Sequence, residues 1–239
     1  MGAKMCTNPA KDMQAEEPVA ALVPPRGIIF DCDGVVIDSR RASRYVYNFL
    51  RDAVGLPPLT PEDEEYVFSQ TTEKSLARVI PPQHRAWAAQ TKEGLGPDEY
   101  LPRTDLQPGI ARLLDLLKEM KIPTALNSNG GMRIGIILKF FRLHNYFSRI
   151  VTAQDVERPK PDPQGILSIL QAWNLDPDQA VYIGDSSLDM QAAQAAGVPF
   201  WSYANRDLNA QLHIDDFNQL SGYLITAYSP TLSAVKDPK

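Results

Sequence analysis

The sequence predicts an α/β protein: a doubly wound parallel sheet with a small α-helical domain inserted near its beginning. Three observations predict it. Short, unbroken apolar runs alternate with segments whose apolar residues recur at helical spacing, as when a chain lays down parallel strands joined by crossover helices. The residues capable of chemistry fall just after those apolar runs, where the carboxyl ends of parallel strands open a crevice. One block, residues 40–105, breaks the alternation and reads as helix throughout.

The first strand is expected at Gly27 to Cys32, GIIFDC. Its apolar residues do not alternate with polar ones, which suits a strand buried on both faces. The helical block follows. Val46, Phe49, Leu50 and Ala53 are expected to share one helix face, and Thr60 with Pro61 to open another helix. Prolines at 57, 58, 61, 81, 82, 97 and 102 cut the block into short helices. It leaves after the first strand and returns before the next helix, so it is expected to be a separate cap domain.

After Pro108 and Gly109, residues Ile110, Leu113, Leu114 and Leu117 stripe one face of a helix, and IPTALNS (122–128) is the next strand. Ile134, Ile137, Leu138 and Phe141 stripe a second helix, followed by the strand RIVTA (149–153). Ile166, Ile169, Leu170 and Trp173 stripe a third, followed by the strand AVYIGD (180–185). A helix from Ser187 to Ala196 ends at Gly197, a C-cap signal, and VPFWSYA (198–204) is the last strand before a short closing segment, HIDDFNQL. The expected division is a flexible tail over 1–25, a Rossmann-like core over 26–39 and 106–225, the cap over 40–105, and a C-terminal tail over 226–239.

At 239 residues the chain is long enough for a core domain carrying a smaller insert. No apolar run approaches the roughly 20 residues of a membrane span, so no membrane partner is expected. A net charge of −5 argues against nucleic acid, whose affinity comes from lysines and arginines neutralising phosphates. Cys6 and Cys32 are too few for a disulfide framework and no zinc-type spacing occurs, which points to a reducing, cytoplasmic setting. Prolines interrupt the first 25 residues before any secretory apolar segment forms. A monomer or weak dimer is expected.

Chemistry gathers at the strand ends. Asp31 and Asp33 lie in DCDGVVIDS, Ser128 and Asn129 end the second strand, Lys160 lies in RPKPDP as the opening of a helix, and Asp185 and Asp189 lie in GDSSLD. Carboxylates converging at one sheet edge repel one another unless a cation neutralises them. All-oxygen ligation with no histidine or cysteine indicates a hard divalent ion such as Mg2+. Lys160 adds one fixed positive charge. With Ser128 and a helix starting at Gly130 and Gly131, the set has what a phosphate dianion requires.

These four segments, in this order, resemble the four motifs of the haloacid dehalogenase superfamily, in particular its phosphoglycolate phosphatase-like and beta-phosphoglucomutase-like subfamily with a small helical cap. The resemblance runs from Gly27 to about Leu224. It implies that Asp31 is the nucleophile forming an aspartyl-phosphate, and that Asp33 protonates the leaving group and then deprotonates water. It further implies Asp31, the backbone carbonyl of Asp33 and Asp185 as metal ligands, with Asp189 a ligand through water or a brace for Lys160. Ser128, Asn129 and Lys160 would hold the phosphoryl oxygens. Asp33 sets the chain with phosphatases and phosphomutases, since dehalogenases and phosphonatases lack an acid there. Val35 stands where many relatives have threonine, a change seen in both branches.

The expected function is a magnesium-dependent phosphatase acting on a small phosphorylated metabolite, phosphoglycolate-like or sugar-phosphate-like. The alternatives are a phosphomutase or a non-catalytic sugar-phosphate binder. Too little positive charge clusters in the sequence to favour the mutase. Specificity is expected in the cap, at Arg44, Thr71, Thr72 and Lys74. Tyr45, Tyr47, Phe49, Tyr66 and Phe68 read most simply as cap core, with one free to face substrate. Asp38 reads as a structural hinge or hydrogen-bonding residue at the cap linker, Cys32 as a buried thiol of raised pKa, and His84, His144 and His213 as outside the site.

Overall fold

A computed structural model of the chain describes residues 24–131 and 133–234. β1 (Gly27–Phe30) is fully buried, and the chain then turns at Gly34 into β2 (Ile37–Asp38), which pairs antiparallel with β3 (Asp105–Leu106). Between β2 and β3 lie α1 (Arg40–Asp52), α2 (Pro61–Ser69), α3 (Thr72–Val79), α4 (Arg85–Gly94) and α5 (Pro97–Tyr100). The alternation then resumes with α6 (Ile110–Glu119), β4 (Thr124–Ser128), α7 (Arg133–Phe140), β5 (Phe147–Thr152), α8 (Gln164–Trp173) and β6 (Ala180–Gly184). α9 (Ser187–Ala196), β7 (Phe200–Tyr203), β8 (Leu212–Ile214) and α10 (Phe217–Ala234) complete it.

Six strands form one parallel sheet in the order β5-β4-β1-β6-β7-β8. The chain winds outward from β1 through β4 to β5, then returns to the other side of β1 as β6. The crevice of a doubly wound sheet opens at that reversal. Asp31 directly follows β1 and Asp185 directly follows β6, and the two strands are in register, Phe30 beside Ile183.

Burial on both faces explains the unbroken apolar strands. Ile28, Phe30, Leu126, Val181 and Ile183 face a core completed by α6, α7 and α10, whereas Ile29, Ala125, Tyr182 and Phe200 face one completed by α8 and α9. Each fully buried aliphatic side chain contributes roughly 1.5–3 kcal/mol. The helical segment between β2 and β3 has its own apolar cluster, including Val46, Leu50, Val67, Leu76, Val79 and Ala88. Within it the start of α2 is fixed locally: the Thr60 hydroxyl accepts from the Asp63 N–H at 3.2 Å and Pro61 occupies the first turn.

Several expectations change. α1 buries Ala42, Val46, Tyr47 and Leu50, while Phe49 is 42% exposed and Ala53 is also exposed, so the expected face is rotated. α7 begins at Arg133, not at Gly130, and α8 begins at Gln164, leaving Lys160 in the loop before it. β8 is a further strand inside the polar closing segment, held by pairing of Leu212 with Trp201 and Ile214 with Tyr203. Helix α10 continues to Ala234 where a tail from residue 226 was expected, anchored by buried Leu220 and Leu224 and by a hydrogen bond from Tyr228 to the Pro25 carbonyl. The N-terminal tail lies, through residue 23, outside the described residues, as does Cys6. No described helix is long and apolar enough to cross a membrane.

Candidate active site

A cavity of about 750 Å³ lies between the carboxyl edge of the sheet and the helices inserted between β2 and β3. Asp31, Asp33, Ser128, Asn129, Lys160 and Asp185 line its sheet side. These residues come from segments far apart in sequence, and the sheet order brings them together.

Lys160 is the hub. Its Nζ donates to Asp31 Oδ1 and to Asp189 Oδ1, each at 2.6 Å, with Asp31 7%, Lys160 6% and Asp189 0% exposed. The fully buried Tyr182 hydroxyl accepts from the same Nζ at 3.1 Å and donates to the Asn127 carbonyl at 2.9 Å. The Lys160 backbone is fixed as well: Asn129 Nδ2 donates to its carbonyl at 2.9 Å and Asn129 Oδ1 accepts from its N–H at 3.0 Å. The Asn129 side chain is thus committed to Lys160. Ser128 Oγ accepts from the Gly130 N–H at 3.0 Å and borders the cavity.

Around this hub each carboxylate is held differently. Asp189 closes a capping box at the start of α9, accepting through Oδ2 from the Ser186 hydroxyl at 2.5 Å and the Ser186 N–H at 3.1 Å. Asp33 Oδ1 accepts from the Ser39 hydroxyl at 2.5 Å. The peptide carbonyl of Asp185 accepts from Asn205 Nδ2 at 2.9 Å, and its carboxylate presses against Gly34, whose φ is +86°. Asp38 Oδ1 accepts from the Arg40 N–H at 3.1 Å, which steadies the entry to α1.

The carboxylates of the crevice outnumber its positive charge. Burial, then the Asp189 charge, push the Asp31 carboxyl well above the usual range, with Lys160 opposing. Burial and Asp189 likewise raise Asp185 to about 7. Burial pulls the Lys160 ammonium down, but Asp189 and Asp31 outweigh it and leave it well above its ordinary value. Oxygens of Asp31, Asp185 and Asp189 lie within 4.8 Å of one another, so three carboxylates share one ammonium. A hard divalent ion with oxygen ligands fits that donor set. Both Asp189 oxygens are engaged inside the protein, one by Lys160, while Asp31 and Asp185 line the cavity.

Of the residues expected to read the substrate, Thr71 and Thr72 line the cavity. Arg44 does not: its guanidinium pairs with Glu64 at 2.9 Å and borders a separate small pocket. Lys74, exposed in the first turn of α3, is also outside the lining. Tyr47 and Phe68 are the aromatic residues of the expected set that reach the cavity, and none of the three histidines does. Burial and the flanking Asp33 and Asp31 raise the Cys32 thiol well above its usual range, so it is an inert neighbour. Ser39, Gln107, Tyr182, Lys92 and Arg133 were not anticipated. Gln107 donates to the Gly34 carbonyl at 2.9 Å and so supports the turn carrying Asp33.

The family model described as "Haloacid dehalogenase-like hydrolase" matches residues 28–202. A phosphoglycolate phosphatase of Psychrobacter arcticus is 30% identical over 221 residues, covering 84% of this chain and 96% of that protein. Phosphoglycolate phosphatase 1 of Pseudomonas aeruginosa is 29% identical, covering 78% of this chain and 72% of its own length. A crystal structure of a HAD-superfamily hydrolase, subfamily IA, from Geobacter sulfurreducens superposes with a TM-score of 0.72 at 27% identity, covering 82% of this chain and 98% of that one. An α/β sheet with this carboxylate crevice is shared by these relatives, and the chain belongs to the haloacid dehalogenase-like hydrolase family. Within that family it is a phosphatase, a hydrolase of phosphoric monoesters.

Proposed function

We propose that the chain hydrolyses a small phosphomonoester, phosphoglycolate-like or sugar-phosphate-like, through an aspartyl-phosphate on Asp31, with Mg2+ as cofactor. The observation that carries this reading is the Lys160 ammonium held 2.6 Å from Asp31 Oδ1 on the cavity floor. It leaves the other Asp31 oxygen as the nucleophile and sets a positive charge beside the transferring group. Asp31, the Asp33 carbonyl and Asp185 would hold the metal, whose bound charge offsets that of the phosphoryl oxygens.

In the first step an Asp31 oxygen attacks phosphorus, the bond to the substrate oxygen breaks, and that oxygen takes the proton of Asp33. In the second, Asp33 as carboxylate removes a proton from water, the water oxygen attacks phosphorus, and the Asp31–phosphorus bond breaks to release phosphate. Asp33 suits both steps because it faces the cavity while Ser39 fixes its orientation. Ser128 and the amides after it would bind phosphoryl oxygens, with Asn129 acting through Lys160. The helices over 40–105 would form the cap that closes on the leaving group and excludes water. The relatives' activity supports phosphoglycolate as the first substrate to try.

The test is phosphate release from phosphoglycolate, hexose phosphates and nucleoside monophosphates, with and without magnesium, in the native chain and in Asp31→Asn. Magnesium-dependent release that is lost in the variant supports the reading. No release from any ester would overturn it, and bisphosphate-primed isomerisation would then mark a mutase.

A further inference from the structure

On the wall of the cavity the structure brings together two cations that lie 41 residues apart in sequence, Lys92 on α4 and Arg133 at the start of α7. The other cations on the wall are already neutralised, Arg40 by Glu65 at 2.7 Å and Lys160 by Asp31 and Asp189. Among the described residues neither Lys92 nor Arg133 has an ion pair. Lys92 Nζ donates to the neutral Thr72 hydroxyl at 3.1 Å and lies 5.9 Å from the Tyr47 ring centroid. Arg133 stacks over Tyr100, its guanidinium carbon 5.0 Å from the ring centroid.

Polar atoms there lack partners. Arg133 Nη2 and the Tyr100 hydroxyl are buried without a hydrogen bond, and Tyr100 is only 4% exposed. A buried donor without an acceptor is costly, more so when charged, and each such group in a native site needs an explanation, which a bound ligand would supply. The two cations are close enough to oppose each other: burial, then Arg133, pull the Lys92 ammonium below its ordinary value, while Asp33 pulls it back. Lys92 therefore stands within electrostatic reach of both Arg133 and the proposed acid–base residue.

We propose that Arg133, Lys92 and Tyr100 form a subsite for a second oxyanion on the substrate, a carboxylate or a second phosphate, while its phosphate ester sits against Asp31. This rests on the phosphatase reading and narrows it to phosphomonoesters with an anionic far end. A guanidinium fork offers paired donors suited to either oxyanion, and the ammonium and phenol supply the remaining donors. Lys92 comes from the inserted helices and Arg133 from the sheet side, so the anion would also draw the two sides of the cavity together.

The experiment compares kcat/KM, with magnesium, for matched short-chain phosphomonoesters ending in a carboxylate, a phosphate or a hydroxyl. In the native chain an anionic ester is favoured over the hydroxyl ester, and which anion is favoured identifies the source. That preference falls about 10- to 100-fold in Arg133→Met, mainly through KM. It falls less in Lys92→Gln and is partly regained in Arg133→Lys. A native chain indifferent to the far end, or a preference unchanged in folded Arg133→Met and Lys92→Gln, overturns the subsite. Failure of the phosphatase reading looks different, as no ester is turned over. Calorimetric binding of the same esters to native and variant chains then decides the subsite alone.

Discussion

Gly34 lies so close to Asp185 that a Cβ at position 34 would come within 2.1 Å of Asp185 Oδ2. The turn after β1 has a φ of +86° at Gly34, so this residue meets both a conformational and a steric demand. Gly34→Ala is expected to cost at least about 2 kcal/mol, from left-handed strain plus the displaced carboxylate. Thermal denaturation measures the loss, and a magnesium titration should weaken in parallel. A variant as stable as the native chain would mean that the turn relaxes freely.

Tyr182 is the buried partner that Lys160 shares with no solvent. Tyr182→Phe removes the acceptor 3.1 Å from Lys160 Nζ and the donor to the Asn127 carbonyl. The expected cost is about 1–3 kcal/mol in denaturant unfolding. Turnover should fall as Lys160 gains freedom beside Asp31, with KM less affected. Unchanged kcat would show that Asp31 and Asp189 alone position the ammonium.

Ser39 acts on chemistry through Asp33. Ser39→Ala frees the Asp33 carboxyl from its 2.5 Å hydrogen bond, so kcat is expected to fall roughly 10-fold as the acid–base group loses its orientation. A variant altered in KM alone would place Ser39 in substrate binding.

The pH dependence of the metal-free protein follows from Asp185. Burial and Asp189 raise this carboxyl from 3.8 to about 7, so between those values the folded state holds a proton that the unfolded state has lost. Stability from this group is present below the unfolded value and declines as pH rises through the folded one. Asp31, also raised, adds in the same sense. In chelator, Tm should therefore fall as pH rises toward and past about 7, and added magnesium should stabilise more at the alkaline end, where the carboxylates are ionised. Asp185→Asn should flatten the trend. A Tm that rises over this interval would contradict the assignment.

Much of this site was legible because each participating residue sits next to a strand that declares itself. Asp31 and Asp185 follow apolar runs that only a parallel sheet buries on both faces, and Lys160 lies in a proline-rich turn before a clear helix. What stayed hidden depends on three-dimensional neighbours. Tyr182 reads as one more apolar strand residue, since nothing local shows that its hydroxyl ends beneath Lys160. Lys92 and Arg133 belong to different elements, so the clustered positive charge that the sequence lacked exists only after folding. Arg44 was misplaced because a helical cation cannot be aimed without knowing its partner, here Glu64 on the next helix. β8 escaped notice because three edge residues in a polar stretch carry too little pattern.

The central claim, that Asp31 carries the phosphoryl group, is tested most directly by trapping it. Asp33→Asn should still accept phosphate from an ester with a good leaving group, which needs no proton, but should release it slowly because no base activates water. The reaction is quenched in acid during turnover with magnesium, and the labelled peptide is located by mass spectrometry. The account predicts one phosphoryl group on Asp31 of the segment around residues 27–39, and none in the Asp31→Asn chain. Phosphate release by the native chain, with label on another residue or with none on Asp31 in the trapped variant, would contradict it.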